Sequence, residues 1–138
     1  MKQLLFLAAD YANITGDGKL NVMGIFNDIN SFEFPARQPS MHLVAKLGAE
    51  LGEYGQTRKF AVKLLDEDGN QIMDISGQFQ VPKGEKGRKP EVNIVLALKD
   101  VVFPKPGIYQ FVILVDQDYK GELSLYVNQI DTPKPVEE

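Results

Sequence analysis

The chain has 138 residues, 43% hydrophobic and 25% charged, with a net charge of −4. That is the composition of a folded globular domain, and it excludes intrinsic disorder as the main state. Cysteine is absent and His42 is the single histidine. No disulfide framework, thiolate metal site or cysteine nucleophile is available. A domain of this length buries about two-thirds of its surface and needs no covalent staple. Each half of the chain carries a net charge of −2. There is no basic stripe of the kind nucleic-acid binders show, so no nucleic-acid partner is expected.

Taken in chain order, the first apolar run is Leu4–Ala9. It falls far short of the roughly 20 residues of a membrane helix, so no membrane partner is expected. It is also short for a secretory apolar region, and Asp10 interrupts it. It reads as a first strand, at about 3–13, in a cytoplasmic protein. Thr15-Gly16-Asp17-Gly18 supplies turn chemistry before a second strand at about 19–30. The segment 41–50 is ambiguous. Leu43, Val44, Leu47 and Leu51 match a helical stripe, whereas Gly48 and Gly52 weaken a helix and the neighbours are strands.

From residue 56 onward the alternation is clear. Phe60, Val62 and Leu64 oppose Lys59, Ala61 and Lys63 in a strand at about 56–66. After Asp66-Glu67-Asp68-Gly69-Asn70, a strand at 71–81 places Met73, Ile75, Phe79 and Val81 inward. A basic loop, 82–90, leads to a strand at 91–99 with Val92, Ile94, Leu96 and Leu98 inward. Pro104-Lys105-Pro106-Gly107 precedes a strand at 108–116. The last, at 121–129, alternates Leu123, Leu125 and Val127 against Ser124 and Tyr126. Eight strands with glycine-bearing turns predict an all-β fold. It is a single antiparallel sandwich over residues 1–130, immunoglobulin-like or C2-like. Residues 131–138 read as a polar tail.

Three runs are apolar on both faces: 4–9, 22–26 and 111–115. A sandwich strand buries one face. Leu5, Leu7, Met23, Ile25, Val112 and Leu114 are therefore expected to form an outward interface, with a protein partner and a homo-oligomer as its product. The sequence names no catalytic residue, no cofactor-binding residue and no cofactor. His42 has no serine in a nucleophile-elbow setting. Asp17, Asp116 and Asp118 are the weak candidates for a metal, because turns one and seven share an end if successive strands alternate in direction. The basic loop has no aromatic ring to stack a base.

The order of several motifs is more specific than any one of them. Leu7-Ala8-Ala9-Asp10-Tyr11-Ala12-Asn13 is followed by Gly18-Lys19-Leu20 running into an apolar strand with Gly24. Then come Leu65-Asp66-Glu67-Asp68-Gly69 and Pro106-Gly107-Ile108-Tyr109. Over residues 4–128 this resembles a family of small prokaryotic proteins of uncharacterised function. The resemblance implies a β-sandwich and carries no reaction and no site residue. In physical terms, Gly24 suggests a bulge or close backbone approach. Asp10 and Asn13 would need partners if buried. Tyr109 is placed to anchor a corner through its hydroxyl.

Overall fold

The computed structural model describes residues 1–131; the expected tail lies, from residue 132 onward, outside the described residues. The chain is all-β with two sheets. In order, the strands are β1 (Lys2–Ile14), β2 (Leu20–Phe26), β3 (Asp28–Ser31), β4 (Ala36–Gly48), β5 (Thr57–Leu65), β6 (Gln71–Gln80), β7 (Glu91–Phe103), β8 (Gly107–Val115) and β9 (Asp118–Gln129). Sheet A has the order β2-β1-β4-β7 and sheet B the order β3-β9-β8-β5-β6.

The alternation read from residues 56–129 holds. Val62 and Leu64 face Ile75 and Met73 across β6 and Ile113 and Phe111 across β8. They join one core with Leu125 and Val127 of sheet B and with Phe6, Met41, Leu43, Leu47, Ile94 and Leu98 of sheet A. Burial of these side chains between the layers supplies the main driving force, about 25 cal/mol per Å². The ambiguous segment is strand: residues 36–48 pair with β1 and β7, and only Leu51–Glu53 forms a short 3₁₀ turn. Tertiary pairing outweighs the local stripe.

Several boundaries differ: β4 begins at Ala36 rather than 41, β7 runs to Phe103 rather than 99, and β9 begins at Asp118 rather than 121. Residues 19–30 were expected as one strand and form two. β2 pairs with β1 in sheet A, whereas β3 crosses to sheet B and runs parallel to β9, with Ile29 buried. The break falls at Asn27, whose carbonyl accepts the Tyr126 N–H at 2.7 Å. The pairings fix strand directions within each sheet, and Met1 and Arg58 both contacting Glu53 set the starts of β1 and β5 at one end, so β1, β5, β7, β9 and β3 run one way and β2, β4, β6 and β8 the other. The extra reversal at β3 shifts which turns share an end.

Tyr109 does anchor a corner. It is 1% exposed and packs edge-on against Phe103, with ring centroids 5.0 Å apart. Its hydroxyl donates to the Lys105 carbonyl at 2.6 Å and accepts the Lys105 N–H at 3.3 Å. The β7–β8 connection is thereby tied to the start of β8. Tyr109→Phe keeps the packing and removes both bonds. The expected loss is about 1 kcal/mol, read as a Tm lower by roughly 3–5 °C. An unchanged Tm would show that the corner is held by packing alone.

Candidate functional site

The outer face of sheet A follows from register. Phe6 and Ala8 of β1 point into the core, so Leu5, Leu7 and Ala9 point out. Leu5 pairs with Lys46, Leu7 with Val44 and Ala9 with His42 on β4. On the other flank, Ala9 pairs with Ile25 and Tyr11 with Met23 of β2. Val44 pairs with Val95 and His42 with Ala97 of β7. An apolar surface therefore crosses all four strands. Its floor is Ala9 and Val44, both 0% exposed, and its prominent side chains are Met23 and Ile25, each 65% exposed. Polar groups border it: Lys46 pairs with Glu91 at 3.4 Å. His42 lies edge-on to Tyr11 at 5.1 Å, with Nδ1 3.3 Å from the Asp10 carbonyl.

Four of the six expected interface residues, Leu5, Leu7, Met23 and Ile25, share this surface. Val112 and Leu114 do not. Phe111, Ile113 and Val115 of β8 point into the core, so Val112 and Leu114 stand on the outer face of sheet B, on the opposite side of the molecule. The single expected surface is two. A doubly apolar strand reveals that its second face is apolar, but not which sheet it joins. Leu114 lines a shallow groove of about 670 Å³ with Lys59, Ala61, Lys63, Ser76 and Asp116. The sequence reading missed Tyr11, Ala9, Val44 and Val95 as parts of the sheet A surface. The signal was present: Val44-Ala45 breaks alternation, and Val95 lies opposite the inward set.

The metal candidates separate as well. Asp17 lies in the β1–β2 turn, at the end where β1 finishes. Asp116 and Asp118 lie where β8 finishes, beside the start of β1. The expectation that Asp17 shares their end fails because β3 adds a reversal. Among the described residues there is no group of three or more His, Cys, Asp or Glu placed to hold a metal ion. Each acidic turn has a local structural role. Asp66 Oδ1 accepts the N–H groups of Asp68 and Asn70 at 2.9 and 2.8 Å, closing its own hairpin. Asp17 accepts the Thr15 hydroxyl and pairs with Lys19 at 3.3 Å. Asp10 is exposed, and its carboxylate sits where a side chain at Gly24 (φ 69°) would be. The expected close approach is there; the expected buried polar group is not.

An ion network that sequence spacing hides joins the sheets at the β8–β9 end. Arg58 on β5 contacts Glu53 at 2.5 Å and Asp116 at 2.8 Å, and the amino group of Met1 lies 3.7 Å from Glu53. Asp116 also accepts the Lys59 N–H at 3.1 Å. The Arg58 guanidinium, then the Lys59 N–H, hold the Asp116 carboxyl below its ordinary pKa. The Glu50 N–H, ahead of the chain's amino group and Arg58, does the same for Glu53. Among the described residues, no helix is long and apolar enough to cross a membrane.

Two packed sheets with one shared core and one apolar outer face define the class: an all-β, two-sheet domain. The chain belongs to a family of unknown function, DUF6941, whose pattern matches residues 4–128. No curated protein matches it. A similar solved structure is the Pseudomonas fluorescens alkylpurine DNA glycosylase AlkC bound to DNA containing an abasic site analog. Identity is 12% and the TM-score 0.46, over 88% of this chain and 30% of that one.

The carboxylate shifts have a direct consequence. A lowered folded-state pKa contributes stability that is present above the ordinary carboxylate range and lost as pH falls through the folded value. Stability should hold from pH 7 to about 5 and decline below about pH 4. Arg58→Met should lower the urea midpoint at pH 7 and shrink the difference between midpoints at pH 7 and pH 3.5. An equal acid decline in both proteins would place the responsible carboxylates elsewhere.

Proposed function

We propose that the chain works by protein–protein contact, as a homo-oligomer or the subunit of an assembly, through the outer face of sheet A. Catalysis plays no part in this reading, and the location is cytoplasmic. The observation that carries it is the pair Met23 and Ile25. Both are 65% exposed on a surface continuous with Ala9, Tyr11, Leu7 and Val44. Three strands of 13 residues and β2 with seven, at a spacing of about 4.8 Å and about 3.3 Å per residue, give a face of roughly 730 Å². A standard interface takes about 800 Å² per partner. The centre carries no charge, and Lys46 is neutralised by Glu91. A second copy therefore meets no like charge there.

The same reading takes the two sheets as an immunoglobulin-like sandwich. β1, β4 and β7 on one side and β5, β8 and β9 on the other correspond to strands A, B, E and C, F, G of that fold. The Tyr109 hydroxyl bonding four residues back, at the start of β8, corresponds to its tyrosine corner.

Light scattering or sedimentation at tens of micromolar tests the contact. The wild type should have the mass of two or more chains. Ile25→Glu should weaken the contact about 100-fold or more, because an unpaired carboxylate would be buried. Leu114→Glu, on the opposite face, should leave the mass unchanged. A wild-type mass of one chain would overturn the homo-oligomer, and an Ile25→Glu chain with the full wild-type mass would overturn the sheet A contact.

A further inference from the structure

A sheet edge presents unpaired backbone groups, and proteins blunt such edges with short strands, bulges, prolines or charges. Three of the four edges here carry such devices. β2 has seven residues and a kink at Gly24 (φ 69°). β3 has four residues. β7 has Asp100 at φ 54° opposite Pro39, exposed Lys99 and Glu91, and flanking Pro90 and Pro104. The fourth edge, β6, has one bulge, at Ile72, and no such device from Met73 to Gln80 beyond a single charge. Its sequence, Gln71-Ile72-Met73-Asp74-Ile75-Ser76-Gly77-Gln78-Phe79-Gln80, contains no proline, no basic residue and no positive φ. Asp74 is its one charge. β5 pairs one side of it from Gln71 to Gln80, and β6 is the last strand of its sheet.

We propose that β6 is an interaction edge that pairs antiparallel with β6 of a second copy, about a two-fold axis through Ser76. Side-chain alternation fixes the register. Ile72 packs against the core at the bulge; beyond it Met73, Ile75 and Phe79 point inward and Asp74, Ser76 and Gln78 face solvent. Only registers that pair odd with odd and even with even keep each copy's core side inward. Centring on Ser76 sets Met73 opposite Phe79, Ile75 opposite Gly77, Asp74 opposite Gln78, and Ser76 opposite itself. Centring on Ile75 instead carries the pairing into the Ile72 bulge, setting Gln71, which lies on the solvent side opposite Leu65, against Phe79. In the Ser76 register no charge faces its like, because the two Asp74 side chains lie about 13 Å apart along the strands. The core side of the edge is already supported: Phe60 covers Gly77 and stacks on Phe79 at 6.3 Å. The result is one continuous ten-stranded sheet, held mainly by backbone hydrogen bonds. This contact is independent of the sheet A face, which lies on another surface of the molecule.

The absence of cysteine makes the register testable in the full chain. Ser76→Cys introduces one thiol, which the two-fold axis places against its own copy at disulfide distance. Under mild oxidation it should cross-link nearly completely, while Asp74→Cys, equally exposed, should not. Ser76→Lys and Ser76→Asp should each lower the mass in solution, and an equimolar mixture of the two should restore association. Three results would each overturn the proposal: a wild-type mass of one chain, Ser76→Cys cross-linking no faster than Asp74→Cys, or an unchanged mass in Ser76→Lys. If Ile25→Glu lowers the mass and Ser76→Lys does not, the edge contact fails and the face contact stands.

Discussion

Two sheets packed together have four faces, and the core between them covers two. Everything distinctive about this chain follows from how it fills the other two. On sheet B the outer positions hold Lys59, Lys63, Asp74, Ser76, Gln78, Gln110, Glu122 and Ser124, with Ala61, Val112 and Leu114 forming one apolar strip and Ile108 and Tyr126 a separate pair. Water satisfies such a face. On sheet A the corresponding positions are Leu5, Leu7, Ala9, Tyr11, Met23, Ile25, Val44 and Val95. Neighbouring side chains shield Ala9 and Val44 completely, but nothing in the register shields Met23 or Ile25, on the outermost strand of the sheet. The apolar cost of that face is concentrated on β2.

The crossing from β2 to β3 sets much of the rest. It brings the chain from sheet A to sheet B without a regular turn, using Asn27 and the buried Ile29 as its footholds. The parallel β3–β9 pairing closes one side of the molecule with four residues and leaves the other side to β7 and β6. It also decides which loops meet. The acidic turns at 15–18 and 66–70 share one end with the Tyr109 corner, where Glu67 accepts the Ile108 N–H at 2.5 Å and Lys105 lies 3.5 Å from Asp68. The other end holds the Arg58 network.

These features divide by the range of the interaction that creates them. Alternation is a local property, so the inward sets of β5, β6, β7 and β9 were legible residue by residue. So were the Asp66 hairpin and the Tyr109 corner, whose partners lie two to four residues away. The split at Asn27 was not, because Val22-Met23-Gly24-Ile25-Phe26 and Asp28-Ile29-Asn30 differ only in which sheet receives them. Arg58 and Asp116 are 58 residues apart and meet only after β5 and β8 pair. Leu114 and Ile25 have the same hydropathic signature and opposite destinations. Patterning specifies burial; the sheet a strand joins is a long-range property.

If the face of sheet A and the edge of β6 are both used, symmetry restricts the assembly. An edge pairing that continues a sheet has its two-fold axis nearly normal to that sheet, so both copies present their sheet A faces in the same direction. A face-to-face contact has its axis in the plane of the sheets. Two such axes close a set of four chains when they intersect, and otherwise generate an open ribbon. The face centre and the β6 edge are displaced from each other across the strands. The axes therefore meet only when the in-plane axis also runs across the strands. That orientation stacks the strands of the two faces antiparallel, within the aligned angle of about 30° that twisted sheets prefer. An in-plane axis along the strands stacks them parallel and never closes. A finite particle thus demands antiparallel stacking over Met23 and Ile25.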